Sequence, residues 1–448
     1  MPAVRTLKAP PGPRGIVKAA YTSLLFTHTL GFFMQLKRRY GDVVEIALGG
    51  KTLYIMSNPE HIEQIHARTG YEFIKGYTSS PSLARLLGNG LLTSEGDFWL
   101  RQRRLSAPTF HHKRIIDYAS TIVDYAQRLA GEWQDGELRD IHEDMMRLTL
   151  EVVCKTLFGV DARTIQKQVA KNVSIVLGEF RRQVYLLLRI PGISSASRKR
   201  YGKAVDELDA VVYRIIEEHR QGDQDKGDLL SMLMAAQDED GSRMTDKQLR
   251  DETMTLFLAG HETTANALTW GFYLLSSNPE SKRAVVKEID DVLCGRLPTF
   301  EDLARLPFTQ AVVKETLRLY PPAWRVYREA AVDMEIGGFN VPRGTGLWMG
   351  QYLVHRDPRW FSEPDKFIPE RWLSEEIKNL PKYAYFPFGG GPRICIGNAF
   401  AEMEANLVLA TILQKYDVDC LAGQKIVPEP SMTLRPKYGI KVHIRKRA

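Results

Sequence analysis

The chain has 448 residues, 44% hydrophobic and 26% charged, proportions that fit an ordinary globular protein and exclude disorder as the default state. Its net charge of +7 is modest for the length, and no run of lysine and arginine is dense enough to track a phosphate backbone, so no nucleic-acid partner is expected. Four scattered cysteines, Cys154, Cys294, Cys395 and Cys420, make neither a disulfide framework nor a zinc-ligand spacing and fit a reducing, cytoplasmic setting.

The N-terminal MPAVRTLKAPPGPRG lacks the apolar stretch of a secretory signal. YTSLLFTHTLGFF is apolar but 13 residues long, against the roughly 20 that a spanning helix takes. Residues 1–29 therefore read as an N-terminal extension without an integral membrane anchor. VVEIALGGKTLYI, with Gly-Gly between alternating runs, reads as a hairpin. Helical periodicity or helix-forming composition follows over 113–133, 140–158, 200–220, 246–277, 279–293, 308–320 and 397–416. QGDQDKGD, from residue 221, reads as an exposed loop. Asn278 and Pro279 read as an N-cap and first helical position, and Pro321-Pro322 stops the helix that carries Glu315. MEIGGFNVPRGTGLWM is a second strand-rich region, and YGIKVHIRKR a late strand. With no repeat, low-complexity tract or linker, the expectation is a single domain over 1–448, mainly α with small β-sheets (α+β).

The segment FGGGPRICIG, Phe388 to Gly397, stands apart. Glycine tolerates positive φ and close approach of backbone to a ligand, so the loop suits a large flat neighbour. Cys395 precedes the helical run GNAFAEMEANLVLATILQKY, where the helix dipole favours a thiolate, and Arg393 adds charge. Such a thiolate can be a nucleophile, a redox sensor or a metal ligand.

Taken whole, Phe388, Gly391, Arg393, Cys395 and Gly397 form FxxGxRxCxG. This resembles the haem-binding signature of the cytochrome P450 family, and the resemblance runs in family order from about residue 30 to the C-terminus. It implies haem b (iron protoporphyrin IX) between the helix of Glu262 and Thr263 and the helix after Cys395, with Cys395 as axial ligand of the haem iron. The thiolate favours O–O cleavage, Phe388 shields the sulfur, and Arg393 pairs with a propionate. In AGHETT, Ala259 to Thr264, the acid–alcohol pair Glu262 and Thr263 is catalytic by resemblance and relays protons to dioxygen over the haem. The glycine costs about 1 kcal/mol in a helix interior, and Thr263 back-bonding bends the helix. The weaker Glu315-x-x-Arg318 pair matches the family's structural pair and is completed by Arg371 of PERW. Trp99 and Arg103, one helical turn apart, match a propionate-binding pair, as does Arg325 of PPAWR.

The resemblance implies a haem-thiolate monooxygenase that inserts an oxygen atom from O2 into a C–H bond or double bond. The expected pocket lining is Leu256, Phe257, Ala259, Trp324, Val326 and Leu434, which favours a lipophilic substrate such as a fatty acid or terpenoid. Residues 176–193 resemble the family's mobile roof, where Arg181 or Arg182 would meet a carboxylate. Electrons come from a ferredoxin or flavodoxin-type donor with an NAD(P)H-dependent reductase, steered by Arg101, Arg103, Arg104, Lys113 and Arg114. A peroxide-driven peroxygenase, a haem-thiolate isomerase and a non-enzymatic haem sensor are the alternatives; the Glu262–Thr263 pair argues against the first two.

Overall fold

The structure, a computed structural model, describes residues 8–14, 24, 27–48, 50–76, 81–110, 112–162, 165–186, 195–221, 228–237 and 241–447. Helices dominate, and the small sheets sit beside them. The first hairpin pairs Val43–Leu48 with Lys51–Met56. Lys51–Met56 then pairs in parallel with Gly346–Met349, which joins Val326–Ala330 and finally Phe73–Ile74. This makes one five-stranded sheet from chain segments about 300 residues apart. The late strand Lys441–Lys446 lies between Leu138–Asp140 and Tyr416–Cys420.

The organising element is the helix Asp246–Ser277, 32 residues long and therefore about 48 Å from end to end. It opens on a full capping box: Thr245 accepts from the Gln248 amide while the Gln248 side chain accepts from that of Thr245. Most of its side chains are buried, so it runs through the molecule with neighbours on nearly every face. It packs closely against Ile141–Phe158, and Gly260 makes this possible: a Cβ there would sit 3.0 Å from Val153 Cγ2. The glycine thus serves close helix packing. Asn278 does occupy the N-cap position before Pro279, but its side chain donates backward to Leu274 O at 2.7 Å and finishes the long helix instead.

The helix Pro307–Leu319 ends just before Pro321-Pro322. It carries Glu315 and Arg318, both fully buried. Arg318 Nε and Nη2 each lie 2.8 Å from a Glu315 oxygen. The carboxylate also accepts from Ile368 N, Arg371 Nε and Trp372 Nε1 at 2.9, 3.1 and 2.8 Å. Arg318 in turn donates to the carbonyls of His355, Pro364 and Lys366. Burial pushes the Glu315 carboxyl up, but Arg318 and then Arg371 outweigh it and hold the group below its ordinary value.

Breaking a buried pair strands the remaining charge and costs about 3–5 kcal/mol. Glu315→Gln should lower stability by that amount in a denaturant melt, and an unchanged midpoint would show the pair to be idle. Because the folded carboxyl is the stronger acid, the wild-type pair contributes fully above the ordinary value of 4.5. That contribution fades as the pH falls through the lower folded value.

Candidate active site

Cys395 lies at the end of a loop that folds back on itself. Its amide donates to Phe388 O at 3.0 Å, and Gly389 N donates to Phe386 O at 2.9 Å. Gly389 and Gly391 hold φ of 72° and 64°, a region that favours glycine. A Cβ on Gly390 would meet the Tyr383 ring at 2.3 Å, and one on Gly391 would meet His66 O at 2.3 Å. The loop is pinned from outside as well: Gln351 Nε2 donates to Phe386 O and Pro387 O, and Phe386 N donates to His355 Nε2. Phe388 is half-buried against the main core.

The Cys395 side chain is exposed by area, yet its sulfur is deep enough that burial pushes the thiol up. A sulfur lining an internal cleft satisfies both. The Gly397 amide, at the start of the helix Asn398–Leu413, pulls the thiol back down, as do Arg103 and Lys75. Arg393 is not among the groups that act on the sulfur. It reaches Ser94 O at 2.8 Å and Glu95 Oε2 at 2.6 Å, and its guanidinium lies 3.8 Å over the Trp99 ring.

Beside the cysteine gathers a basic cluster, partly unforeseen from the sequence. Arg103 donates to Ile394 O at 3.1 Å. Lys75 is buried, with Nζ 2.8 Å from Leu92 O. Burial pushes its ammonium well below the ordinary value, and Arg328, Arg393 and Arg103 push it further. Arg328 is buried beside Arg393. Glu95, paired with Arg393 at 2.6 Å, is the acidic neighbour that offsets Lys75 and Arg393.

Arg325 is elsewhere: it stacks between Trp324 and Trp348, 4.7 and 4.4 Å from the ring centres. The physical reason is strand alternation. In Val326–Ala330 the residues Arg328 and Ala330 are buried and the intervening ones less so, and a residue three positions away points to the opposite face. The signal was present in RVYREA, where Arg328 keeps the period of two with Ala330.

On the long helix, Ala259 is exposed and Thr263 half-buried, one turn apart, amid otherwise buried residues. Thr263 Oγ1 donates to Ala259 O at 2.7 Å. Glu262 faces elsewhere, since adjacent helical residues are about 100° apart. It is buried and accepts from Thr433 Oγ1 at 2.6 Å; burial pushes its carboxyl up, while Thr433 and then Arg435 pull it down.

Of the six residues expected to line the pocket, Ala259 alone is exposed. Leu256 and Phe257 pack into a helical core, with Phe257 6.0 Å from Phe158. Trp324 and Leu434 belong to an N-terminal core with Phe33 and Val44, and Val326 is half-buried against the sheet core. Their assignment as pocket lining is corrected accordingly: a helix enclosed on all sides and strands of period two send neighbouring residues to different cores. Met432, two residues before Leu434, packs instead on the core of Leu256 and Phe257. The side chains of Arg181, Arg182 and Lys113, and residues 187–194 of the expected roof, lie outside the described residues.

The cytochrome P450 family model matches residues 10–444. The chain belongs to the cytochrome P450 family. This P450 is 37% identical to cyclooctatin synthase of Streptomyces melanosporofaciens over 442 residues, covering 97% of this chain and 95% of that protein. It is 32% identical to pentalenene oxygenase of Streptomyces avermitilis, covering 90% and 88%. A crystal structure of the cytochrome P450DA heme domain superposes with a TM-score of 0.90 at 27% identity, covering 99% of both chains. The protein is a P450 monooxygenase with haem as cofactor; its reaction draws on O2 and redox partners. Among the described residues, no helix is long and apolar enough to cross a membrane.

The residues fit that cofactor. Arg393 Nε and Nη1 are buried without a hydrogen-bond partner, and the depressed Lys75 ammonium reports a cluster short of anions. Two propionates would supply that charge, and the glycines leave backbone, not side chain, next to the sulfur. If Arg328 rather than Arg325 serves this cluster, Arg328→Met should weaken haem retention about tenfold or more, as loss of a charge-assisted hydrogen bond does. Arg325→Met should retain haem like the wild type. The haem-to-protein ratio after dialysis measures both, and equal losses would contradict the assignment.

Proposed function

We propose that this P450 oxygenates a lipophilic, largely hydrocarbon substrate of the terpenoid class, and that it does so in the cytoplasm. The observation that carries the reading is the exposed, uncharged position Ala259 one turn from Thr263 on an otherwise largely buried helix. It offers surface without charge, so a substrate gains by desolvation and not by ion pairing. The relatives support it: besides the two above, cyclooctat-9-en-7-ol 5-monooxygenase of Streptomyces melanosporofaciens is 35% identical over 427 residues, and such names fit terpenoid hydroxylation.

When bound, haem supplies dioxygen activation and oxygen-atom insertion. The chain supplies the rest. Cys395 would bind the haem iron through its sulfur, and Lys75, Arg103, Arg328 and Arg393 would hold the propionates, with Trp99 stacked on Arg393. Thr263 presents its hydroxyl on the open face of the long helix. Tethered to Ala259 O, that hydroxyl keeps its oxygen lone pairs free to accept a proton before donating its own. Glu262, behind it, is the buried acid that replenishes the proton. Met432 and Leu258 complete the apolar lining.

Titrating the purified holoenzyme with cyclic terpenoids and with fatty acids of similar size tests the substrate class. Terpenoids should displace water from the site and shift the haem absorption toward the high-spin form. A shift with fatty acids alone would overturn the reading.

A ferredoxin-type acidic donor is the proposed electron source. Arg104 is exposed and Arg114 half-buried on adjacent helices. Arg103 turns inward to Ile394 O, and Arg101 reaches Ser242 Oγ at 2.9 Å; Arg104 and Arg114 are the positions proposed to steer the donor. Arg104→Glu should slow donor-dependent reduction several-fold at an ionic strength of about 0.01 M, where charges act over roughly 30 Å, and much less at about 1 M. Stopped-flow reduction rates equal to wild type at both salts would reject this surface.

A further inference from the structure

Glu262 turns from the open face of its helix toward side chains contributed by three other places in the chain. Thr433 Oγ1 donates to Glu262 Oε1 at 2.6 Å. Asn266, one turn further along, donates from Nδ2 to Thr433 Oγ1 at 3.2 Å. Asn266 Oδ1 lies 3.2 Å from His142 Nε2. An amide oxygen only accepts, so His142 carries hydrogen on Nε2. All donors therefore point one way: imidazole to amide, amide to hydroxyl, hydroxyl to carboxylate. Glu262, Thr433 and Asn266 are buried, while His142 is half-buried at the start of the helix Ile141–Phe158.

The direction is set from behind. Thr433 has a single proton to donate, and with the Asn266 amide behind its oxygen that proton is aimed at Glu262. Asn266 can donate to Thr433 only while its Oδ1 faces His142, which must then carry hydrogen on Nε2. The tautomer of a half-buried imidazole thus supports the hydrogen bond that the buried carboxyl accepts.

Charged groups around the chain are themselves paired. Asp140 raises the His142 pKa and Arg435 lowers it, both acting after burial, which lowers it most. Asp140 lies 3.3 Å from Lys441, and Arg435 2.9 Å from Glu429. The His142 backbone is fixed, its amide donating to Asp140 Oδ1 at 3.0 Å.

We propose that His142, Asn266 and Thr433 are positioning residues for the monooxygenase reaction, a one-way donor chain through which a half-buried imidazole fixes the hydrogen bond that the Glu262 carboxyl accepts. This rests on the reading of Glu262 as the group that replenishes the proton of Thr263: between deliveries the carboxylate takes up a proton, and the donor chain sets how firmly it holds it. Thr433 is the group that donates to Glu262; without Asn266 or His142 behind it, its hydroxyl is no longer held toward the carboxylate, and a weaker donor to the anion favours the neutral acid, so the carboxyl should titrate at higher pH.

The test is a difference-infrared titration of the Glu262 carboxyl in the resting holoenzyme, with Glu262→Gln subtracted. Asn266→Leu and His142→Phe should each raise the midpoint by about one pH unit, a tenfold loss of acidity. His142→Gln, which keeps an N–H donor, should restore it. Midpoints within about 0.2 unit of wild type in both Asn266→Leu and His142→Phe would overturn the chain, even if melting temperatures fall. Product formed per electron consumed, followed across pH, separates the two readings. A shifted midpoint with unchanged coupling keeps the chain and removes Glu262 from proton delivery. Uncoupling by Glu262→Gln with an unshifted midpoint in Asn266→Leu does the reverse.

Discussion

A carboxylate with no access to water, Glu315, sets the geometry on which the haem side of this P450 rests. Its two oxygens hold Arg318 in a bidentate grip and take three further donors from residues 368–372. An ion pair so deep is stable only when its lone pairs and protons are satisfied. Arg318 therefore spends its other donors on backbone carbonyls, among them His355 O. His355 in turn accepts from the Phe386 amide, two residues before the cysteine loop begins. Burial, helped by Arg318 and Arg356, drives the His355 pKa down to about 3, so the ring stays neutral and can accept. A charge pair in one helix thus reaches the loop of Cys395 through a carbonyl and an uncharged imidazole.

The second constraint is an excess of buried positive charge. Lys75, Arg328 and Arg393 are buried close enough to disfavour one another's charge, Arg103 lies half-buried beside them, and Glu95 pairs with Arg393. A protein does not assemble such a group for its own stability, because desolvation and mutual repulsion both oppose it. The arrangement makes sense as half of an interaction whose other half is a dianionic cofactor and a thiolate. The long helix supplies small and hydroxyl-bearing positions, Ala259 and Thr263, that stay open while most of its other side chains are buried.

Much of this was legible in the chain. The bounds of the long helix, the stop at Pro321-Pro322, the late strand and the structural role of Glu315, Arg318 and Arg371 follow from periodicity, proline chemistry and local motif. Errors came where one residue's direction mattered. Arg325 and Arg328 are equally basic, and strand alternation separates them. Leu434 and Met432 are equally apolar, and they belong to different cores. The cost of Gly260 in a helix interior was legible, but not its purpose, which is to give room to Val153. Lys75 carried no motif at all.

The sequence by itself determined which elements form and which cysteine stands in a strained, glycine-built loop, because periodicity, capping and backbone permissiveness are local properties. Only the tertiary structure decided which side chains share an environment. The cluster of Lys75 with Arg328, and the chain from His142 to Glu262, join residues more than a hundred positions apart. No local pattern encodes such meetings; they arise when packing brings separate segments into one low-dielectric space where charge and hydrogen-bond direction must be reconciled.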